Sequence, residues 1–321
     1  MNVVVERSIY ARAHAVFDDA ARQEGLVFVQ IDPLDEARAL DAHAEGAEVF
    51  IIGTKRYSDG FFRALRPGTL VQRFGVGYNE IPMDLCRSGG IRVGYTPGVL
   101  ERAVAEHTVA LVLSLARGIC TLDGTVRKGL WERTTGVELR DRAIALIGFG
   151  RIAREVARIA RQGFGMRVLA FGLRETLDPE GAALVDAYFT DLPSCLASAD
   201  FVSLHLPSSP QTDAIVNETF LEQMKSTAFL VNTARGSLVD EGALFHALDS
   251  RAIAGAALDV FQNEPYTADD HDLRSLDNCV LTPHCASNTE EANRRMASIC
   301  VRQCVSFYQG QFDELVLVPE L

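Results

Sequence analysis

Positive charge is short in this sequence: 31 lysines and arginines stand against 43 aspartates and glutamates, a formal net charge of −12. General nucleic-acid binding needs a basic footprint to displace counterions, so that class is excluded. Small anions held by local positive groups are not excluded. Long hydrophobic runs are also missing. The longest uncharged stretch near the middle, 108–116, falls far below the roughly 20 residues of a membrane span. Residues 1–17 alternate charged and apolar side chains, without the apolar block and small-residue cleavage site of a signal peptide. A cytoplasmic protein without membrane contact is the expectation. The seven cysteines (Cys86, Cys120, Cys195, Cys279, Cys285, Cys300 and Cys304) are odd in number and show no tight spacing of zinc-ligand type. Neither disulfides nor a metal site are expected from them. Cys300 and Cys304, one helical turn apart, read as a packing pair, while Cys285 stands out only because it follows His284.

A chain of 321 residues is too long for one simple core and comfortable for two domains. Short apolar runs bounded by Gly, Pro or Asp predict strands over 27–31, 49–52, 70–75, 91–95, 144–147, 167–171, 201–204, 229–232, 254–259 and 279–281. Helical segments lie between them, over 102–119, 152–161, 241–248 and 290–308 among others. Alternation of this kind makes an α/β protein with parallel sheets covered on both faces. Two βα runs fit, one ending near Tyr95 and one opening at Ile144, bridged by a helix whose Val104, Thr108, Leu111, Val112 and Leu115 follow helical spacing. The last helix follows Thr289, a good N-cap, carries acids in its first turn, and lies where it can return to the first domain. There are no repeats, low-complexity tracts or Gly/Ser linkers.

The most specific single motif is Ala143-Ile-Ala-Leu-Ile-Gly148-Phe149-Gly150-Arg151-Ile152-Ala153, a buried strand running through Gly-x-Gly-x-x-Ala into a helix. Gly148 permits the tight turn, Gly150 lets a pyrophosphate approach the backbone, and Ala153 keeps helix close to strand. The helix start offers free N–H groups and a positive dipole end to phosphates. NAD-specific folds usually place an acid at the end of the next strand, about 20 residues on, to bind the ribose hydroxyls. Gly172 stands there, with Arg174 two residues later. A glycine removes the repulsion of a 2′-phosphate, roughly 1–4 kcal/mol before screening, and Arg174 can pair with it. The pattern leans to NADP over NAD; the alternative is a surface Arg174 with Glu175 on the ribose.

The chain also carries Phe74-Gly-Val-Gly-Tyr78, Thr96-Pro-Gly98, Val104-Ala-Glu-His107, Ala199-Asp-Phe-Val-Ser-Leu-His-Leu-Pro207 with Pro210-Gln-Thr212, Val231-Asn-Thr-Ala-Arg-Gly236 with Val239-Asp240, Ala257-Leu-Asp-Val-Phe261 with Glu264-Pro265, and Leu281-Thr-Pro-His284. With these motifs in this order, the chain resembles the D-isomer-specific 2-hydroxyacid dehydrogenases over nearly its whole length. The resemblance implies two flavodoxin/Rossmann-like domains with a cleft between them. Residues 101–286 would form the dinucleotide-binding domain, and 1–100 plus 287–321 the substrate-binding domain. It implies a homodimer paired through the cofactor domain, in the region of Trp131, and no C-terminal regulatory domain after Leu321. It also places His205, Pro207, Thr212, Thr233 and Ala234 on the cofactor beside Phe149, Arg151 and Ile152, and Asp259 on the nicotinamide carboxamide. The chain departs from the family pattern at Asn79, often an Asp; at 285–288, often glycine-rich; at Gly172; and by one extra residue within 161–165.

The resemblance makes Arg235, Glu264 and His284 the catalytic set, and their chemistry suits the task. Reduction of a 2-keto acid requires the carboxylate to be held, a hydride to reach C2, and a proton to reach the carbonyl oxygen. The arginine fork suits the first need, at a carboxyl-end loop where open α/β sheets bind ligands. A histidine suits the proton step, because imidazole titrates near neutrality, and Glu264 can fix its tautomer. Backbone N–H groups at Val76 and Gly77 can hold the substrate carboxylate. Asp240 reads as an N-cap rather than a catalytic acid. The expected substrate is glyoxylate, hydroxypyruvate or a similar small 2-keto acid. One alternative is a phosphoglycerate dehydrogenase, with Lys55, Arg56 or Arg73 for the phosphate. Phosphite oxidation on a related scaffold would call for a lysine where Arg73 stands. A non-catalytic dinucleotide-sensing protein is the alternative of a different class.

Overall fold

The computed structural model describes residues 1–267 and 271–319. The chain divides into two compact units, Met1–Leu100 with Asn288–Leu321, and Glu101–Ser287.

The first unit carries a parallel sheet of β1 (Asn2–Glu6), β2 (Val27–Ile31), β3 (Val49–Ile52), β4 (Leu70–Arg73) and β5 (Arg92–Gly94), in the order β2-β1-β3-β4-β5. The order reverses between β1 and β3, so the carboxyl ends of those strands form a switch point of the flavodoxin type. β1 is not among the expected strands. Its Val3, Val4 and Val5 are buried between neighbours on both sides, but a three-valine run at a chain start gives too short a pattern to separate from a helix lead-in. β4 ends at Arg73 rather than at residue 75. Gly75 has φ +148°, a conformation that takes the chain out of the sheet and that side chains resist. The helix Glu290–Tyr308 belongs to this unit and is capped by Thr289, whose hydroxyl accepts from Ala292 N–H at 3.1 Å. Cys300 and Cys304 are both buried in this helix, as packing positions.

The second unit holds β6 (Ala143–Ile147), β7 (Arg167–Phe171), β8 (Ala187–Phe189), β9 (Phe201–Leu204), β10 (Phe229–Asn232), β11 (Gly255–Leu258) and β12 (Cys279–Leu281). The order is β12-β11-β10-β9-β6-β7-β8, all parallel, with the switch point between β6 and β9. β8 is a second strand that the sequence pattern misses: three half-buried residues at a sheet edge carry little periodicity. Apolar cores cover both faces. On one, the helix Glu101–Arg117 buries Val104, Thr108, Leu111, Val112 and Leu115, the stripe its spacing predicts. The extra residue within 161–165 is absorbed by helix: Arg151–Phe164 runs on and closes at Gly165, φ +64°, whose N–H bonds back to Ala160 and Arg161 carbonyls. No single helix among the described residues is long and apolar enough to cross a membrane.

Candidate active site

At the carboxyl end of β6 the chain makes a tight glycine turn into a helix. Gly148 has φ +90°, and a Cβ there would lie 2.8 Å from the His205 carbonyl oxygen, so the chains leaving β6 and β9 approach too closely for any side chain. Around Gly150 the opposite holds: nothing stands within 4 Å of where its Cβ would be, which leaves the approach open for a phosphate. Gly150 is the N-cap of the helix Arg151–Phe164, so the first-turn N–H groups have no carbonyl of their own helix to bond. Ala153 is fully buried and Ile152 half-buried against the core. The Arg151 guanidinium lies 3.7 Å from Glu101, and Phe149 carries the Arg154 guanidinium 5.6 Å above its ring. These residues fit a pyrophosphate.

After β7 comes Gly172, whose N–H donates to Phe189 of β8, and then an exposed turn carrying Arg174. After β9, His205 N–H donates to the Ile147 carbonyl at 2.8 Å, and its ring turns inward to Ser203 Oγ at 3.0 Å. The loop beyond is self-braced: the Thr212 hydroxyl donates to the Pro207 carbonyl at 2.7 Å and accepts from Ser209 N–H at 2.9 Å. Burial of the ring pushes the His205 imidazole down to about 4 from an ordinary 6.5, although the residue as a whole keeps some exposure. The folded state then holds this proton more weakly than the unfolded chain. Stability is complete above about pH 6.5 and falls as pH drops toward about 4, by at most about 1.4 kcal/mol per pH unit for one proton. Thermal unfolding from pH 7 to pH 4 should show this slope, and His205→Gln should flatten it. Equal slopes in the two proteins would assign the acid sensitivity elsewhere.

The three candidate catalytic residues follow three neighbouring strands, β10, β11 and β12, at their carboxyl ends. The loop after β10 is stapled by Asn232: its side-chain oxygen accepts from Ala234 N–H at 3.0 Å, and its amide donates to the Arg235 carbonyl at 2.8 Å. The Thr233 hydroxyl pairs with that of Thr108 at 2.8 Å. Arg235 is extended, half-buried, and sends one guanidinium nitrogen to the Ala234 carbonyl. The next residue must be glycine, since a Cβ at Gly236 would fall 1.9 Å from the Phe261 backbone carbonyl. Gly236→Ala should therefore cost at least about 3 kcal/mol in denaturant titration, the upper range for overpacking against main chain. A midpoint equal to wild type would show that the loop after β11 shifts freely.

His284 Nδ1 lies 2.6 Å from Glu264 Oε2. The ring nitrogen donates to the carboxylate, so Nε2 is left for proton exchange. Burial pushes the Glu264 carboxyl up, but the bond from His284 and the Phe261 N–H outweigh it and hold it below the ordinary range. His284 sits at φ +50°, in the left-handed region, fixed there by its N–H on the Asp259 carbonyl at 2.7 Å and the Thr282 carbonyl at 3.1 Å.

Asp259 is fully buried. Burial pushes its carboxyl up, but hydrogen bonds from His107, Thr282, Cys285 and Ala286 prevail and hold it low. The Thr282 hydroxyl donates to Asp259 Oδ1 at 2.6 Å and so accepts from His107 Nε2 at 3.1 Å; the Cys285 and Ala286 amides each donate at 2.9 Å. His107, Asp259 and Cys285 bring three potential metal donor atoms within 4.8 Å of one another. The carboxylate, however, already accepts from a hydroxyl and two amides, which accounts for the cluster as a hydrogen-bonded knot. His107, Thr282 and Asn232 were missed as positioning groups. His107 lies within a motif noted in the sequence, but its partner is 175 residues away. Asp240 caps the helix Glu241–Asp249 by accepting from Ala243 N–H at 3.0 Å.

In the first unit, residues 74–78 form the loop after β4. Arg73 is buried and braces it, with Nε on the Gly77 carbonyl and a terminal nitrogen on the Phe74 carbonyl, both at 2.7 Å. Val76 and Gly77 are half-buried. Arg73 thus spends donors on the loop itself, which weakens its candidacy as a phosphate ligand.

Residues 109–286 match the family description "D-isomer specific 2-hydroxyacid dehydrogenase, NAD binding domain". The chain is 39% identical over 258 residues to the glyoxylate reductase of Thermofilum pendens, covering 78% of this chain and 75% of that one. It is 36% identical over 310 residues to the glyoxylate reductase of Korarchaeum cryptofilum, covering 95% and 89%. The crystal structure of TT0316 protein from Thermus thermophilus superposes with a TM-score of 0.83 at 34% identity, over 97% of both chains.

Proposed function

The chain belongs to the D-isomer-specific 2-hydroxyacid dehydrogenases, and from that premise we propose that it reduces glyoxylate, hydroxypyruvate or a similarly small 2-keto acid with Arg235, Glu264 and His284 as catalytic residues. The reaction class is NAD(P)H-dependent reduction of a small 2-keto acid. The observation that carries the assignment of residues is His284 Nδ1 on Glu264 at 2.6 Å, with Glu264 on the loop after β11, the strand paired with the β10 that precedes Arg235.

A nicotinamide, when bound, would supply the hydride. The chain supplies the rest. The Arg235 fork would bind the substrate carboxylate and polarise the C2 carbonyl; in the first unit, the Val76 and Gly77 N–H groups are the candidates for holding an anion. His284 gives the Nε2 proton to the carbonyl oxygen as charge develops there, and Glu264 keeps the ring oriented and stabilises its charged form. With the cofactor bound, Asp259 would accept from its carboxamide, Phe149, Arg151 and Ile152 would present the helix start to the pyrophosphate, and His205, Pro207, Thr212, Thr233 and Ala234 would line the remainder.

For the cofactor, we favour NADP over NAD. Gly172 offers no carboxylate to repel a 2′-phosphate, and exposed Arg174 stands two residues on. The test is loss of reduced-nicotinamide absorbance with NADPH and NADH against glyoxylate, hydroxypyruvate, pyruvate and longer 2-keto acids. Faster turnover with NADPH is expected. Preference for NADH would keep the reaction class and end the cofactor proposal. Tight dinucleotide binding with no turnover of any acid would favour the sensing alternative. We also place the enzyme in the cytoplasm, where its seven free thiols stay reduced. A homodimer would cover Trp131, which is 81% exposed, with Leu130 and Val126 beside it.

A further inference from the structure

The absence of an acid at position 172 is tied to a residue on the neighbouring edge strand. A Cβ built on Gly172 would lie 2.6 Å from the phenol oxygen of Tyr188, but 3.5 and 3.6 Å from the nearest ring carbons, which is ordinary contact. One oxygen atom, where it stands, therefore occupies the space a Cβ at 172 would need. That same oxygen donates to the Arg174 carbonyl at 2.9 Å and so braces the turn carrying the arginine. β7 and β8 pair in register, Phe171 with Phe189, and Gly172 N–H bonds to the Phe189 carbonyl, so Tyr188 reaches the turn from a fixed strand. The phenol is the far end of a side chain and can swing aside for a Cβ, but only by giving up its bond to Arg174.

We propose that Tyr188 is the positioning residue that sets dinucleotide selectivity: its hydroxyl stands where an acid's Cβ would stand and holds the turn that presents Arg174 to a 2′-phosphate. The acid and the phenol hydroxyl bonded to Arg174 are mutually exclusive. A chain with Tyr at 188 keeps glycine at 172 and the arginine turn; a chain with an acid at 172 requires a partner without that oxygen. The part concerning the 2′-phosphate rests on the NADP reading above; the steric part does not.

The experiment is a double-mutant cycle of Gly172→Ala and Tyr188→Phe, read by thermal midpoint and by KM for NADPH and NADH, with Gly172→Asp then placed in both backgrounds. Gly172→Ala should lower the midpoint when Tyr188 is present and leave it unchanged beside Tyr188→Phe. Each single change should raise KM for NADPH about tenfold, the loss of one well-placed phosphate contact, without moving KM for NADH. The pair together should do no more, because both act through one oxygen. Gly172→Asp should turn preference to NADH only alongside Tyr188→Phe. Equal tolerance of Gly172→Ala in the two backgrounds would overturn the steric claim. An unchanged NADPH-to-NADH ratio in Tyr188→Phe, in an enzyme that prefers NADPH, would overturn the selectivity claim alone. Wild-type preference for NADH would overturn the cofactor reading, and with it the role given to Arg174, while the midpoints still judge the steric claim.

Discussion

Turnover of the His284→Ala enzyme falls by about 10²–10⁴, the range set by loss of a positioned proton donor when proton transfer limits the rate. The geometry explains why no neighbour compensates. Glu264 engages Nδ1 and lies on the far side of the ring from the free nitrogen, so it orients the histidine but does not replace its proton. The anchor of residue 284 on the Asp259 carbonyl uses its backbone N–H and not its side chain, and the glycine turn proposed for the dinucleotide follows β6. Dinucleotide affinity should therefore stay within about twofold of wild type. Stopped-flow turnover with NADPH and glyoxylate, beside a fluorescence titration of the dinucleotide, measures both. A folded variant with unchanged turnover would remove His284 from the mechanism.

Arg235→Ala should damage binding and chemistry together. A charged fork that holds a carboxylate in the ground state and a developing oxyanion in the transition state contributes to both. Its removal should cost roughly 3–4 kcal/mol, or about 10²–10³ in kcat/KM, split between a raised KM and a lowered kcat. Arg235→Lys keeps the charge without the planar fork and should recover part of KM and little of kcat. If either variant lost only thermal stability, Arg235 would be a loop brace, a role its contact with the Ala234 carbonyl could fill.

The glycine-rich turn within 143–153 was legible because its signal is local. A glycine is needed at 148 for its own φ of +90°. Aspartate at 240 and threonine at 289 cap helices that begin one residue later. Strands of four or five buried residues, such as Val49–Ile52 and Phe201–Leu204, declare themselves by composition. The two overlooked strands, Asn2–Glu6 and Ala187–Phe189, are either a short run at the chain start or a half-buried edge, where few side chains report burial.

The sequence by itself determined the alternation of strands and helices and the glycine-rich turn after β6, while the resemblance to the family pointed to the arginine, glutamate and histidine to examine. The first two depend on residues a few positions apart, whose spacing selects turns, caps and faces. Only the tertiary structure decided that Glu264 meets Nδ1 of His284, that His107 meets Thr282 and Asp259, and that Tyr188 stands against Gly172. Each of those contacts joins residues from different elements. Their distance is set by strand order and register, which emerge from packing of the whole sheet and not from any local pattern.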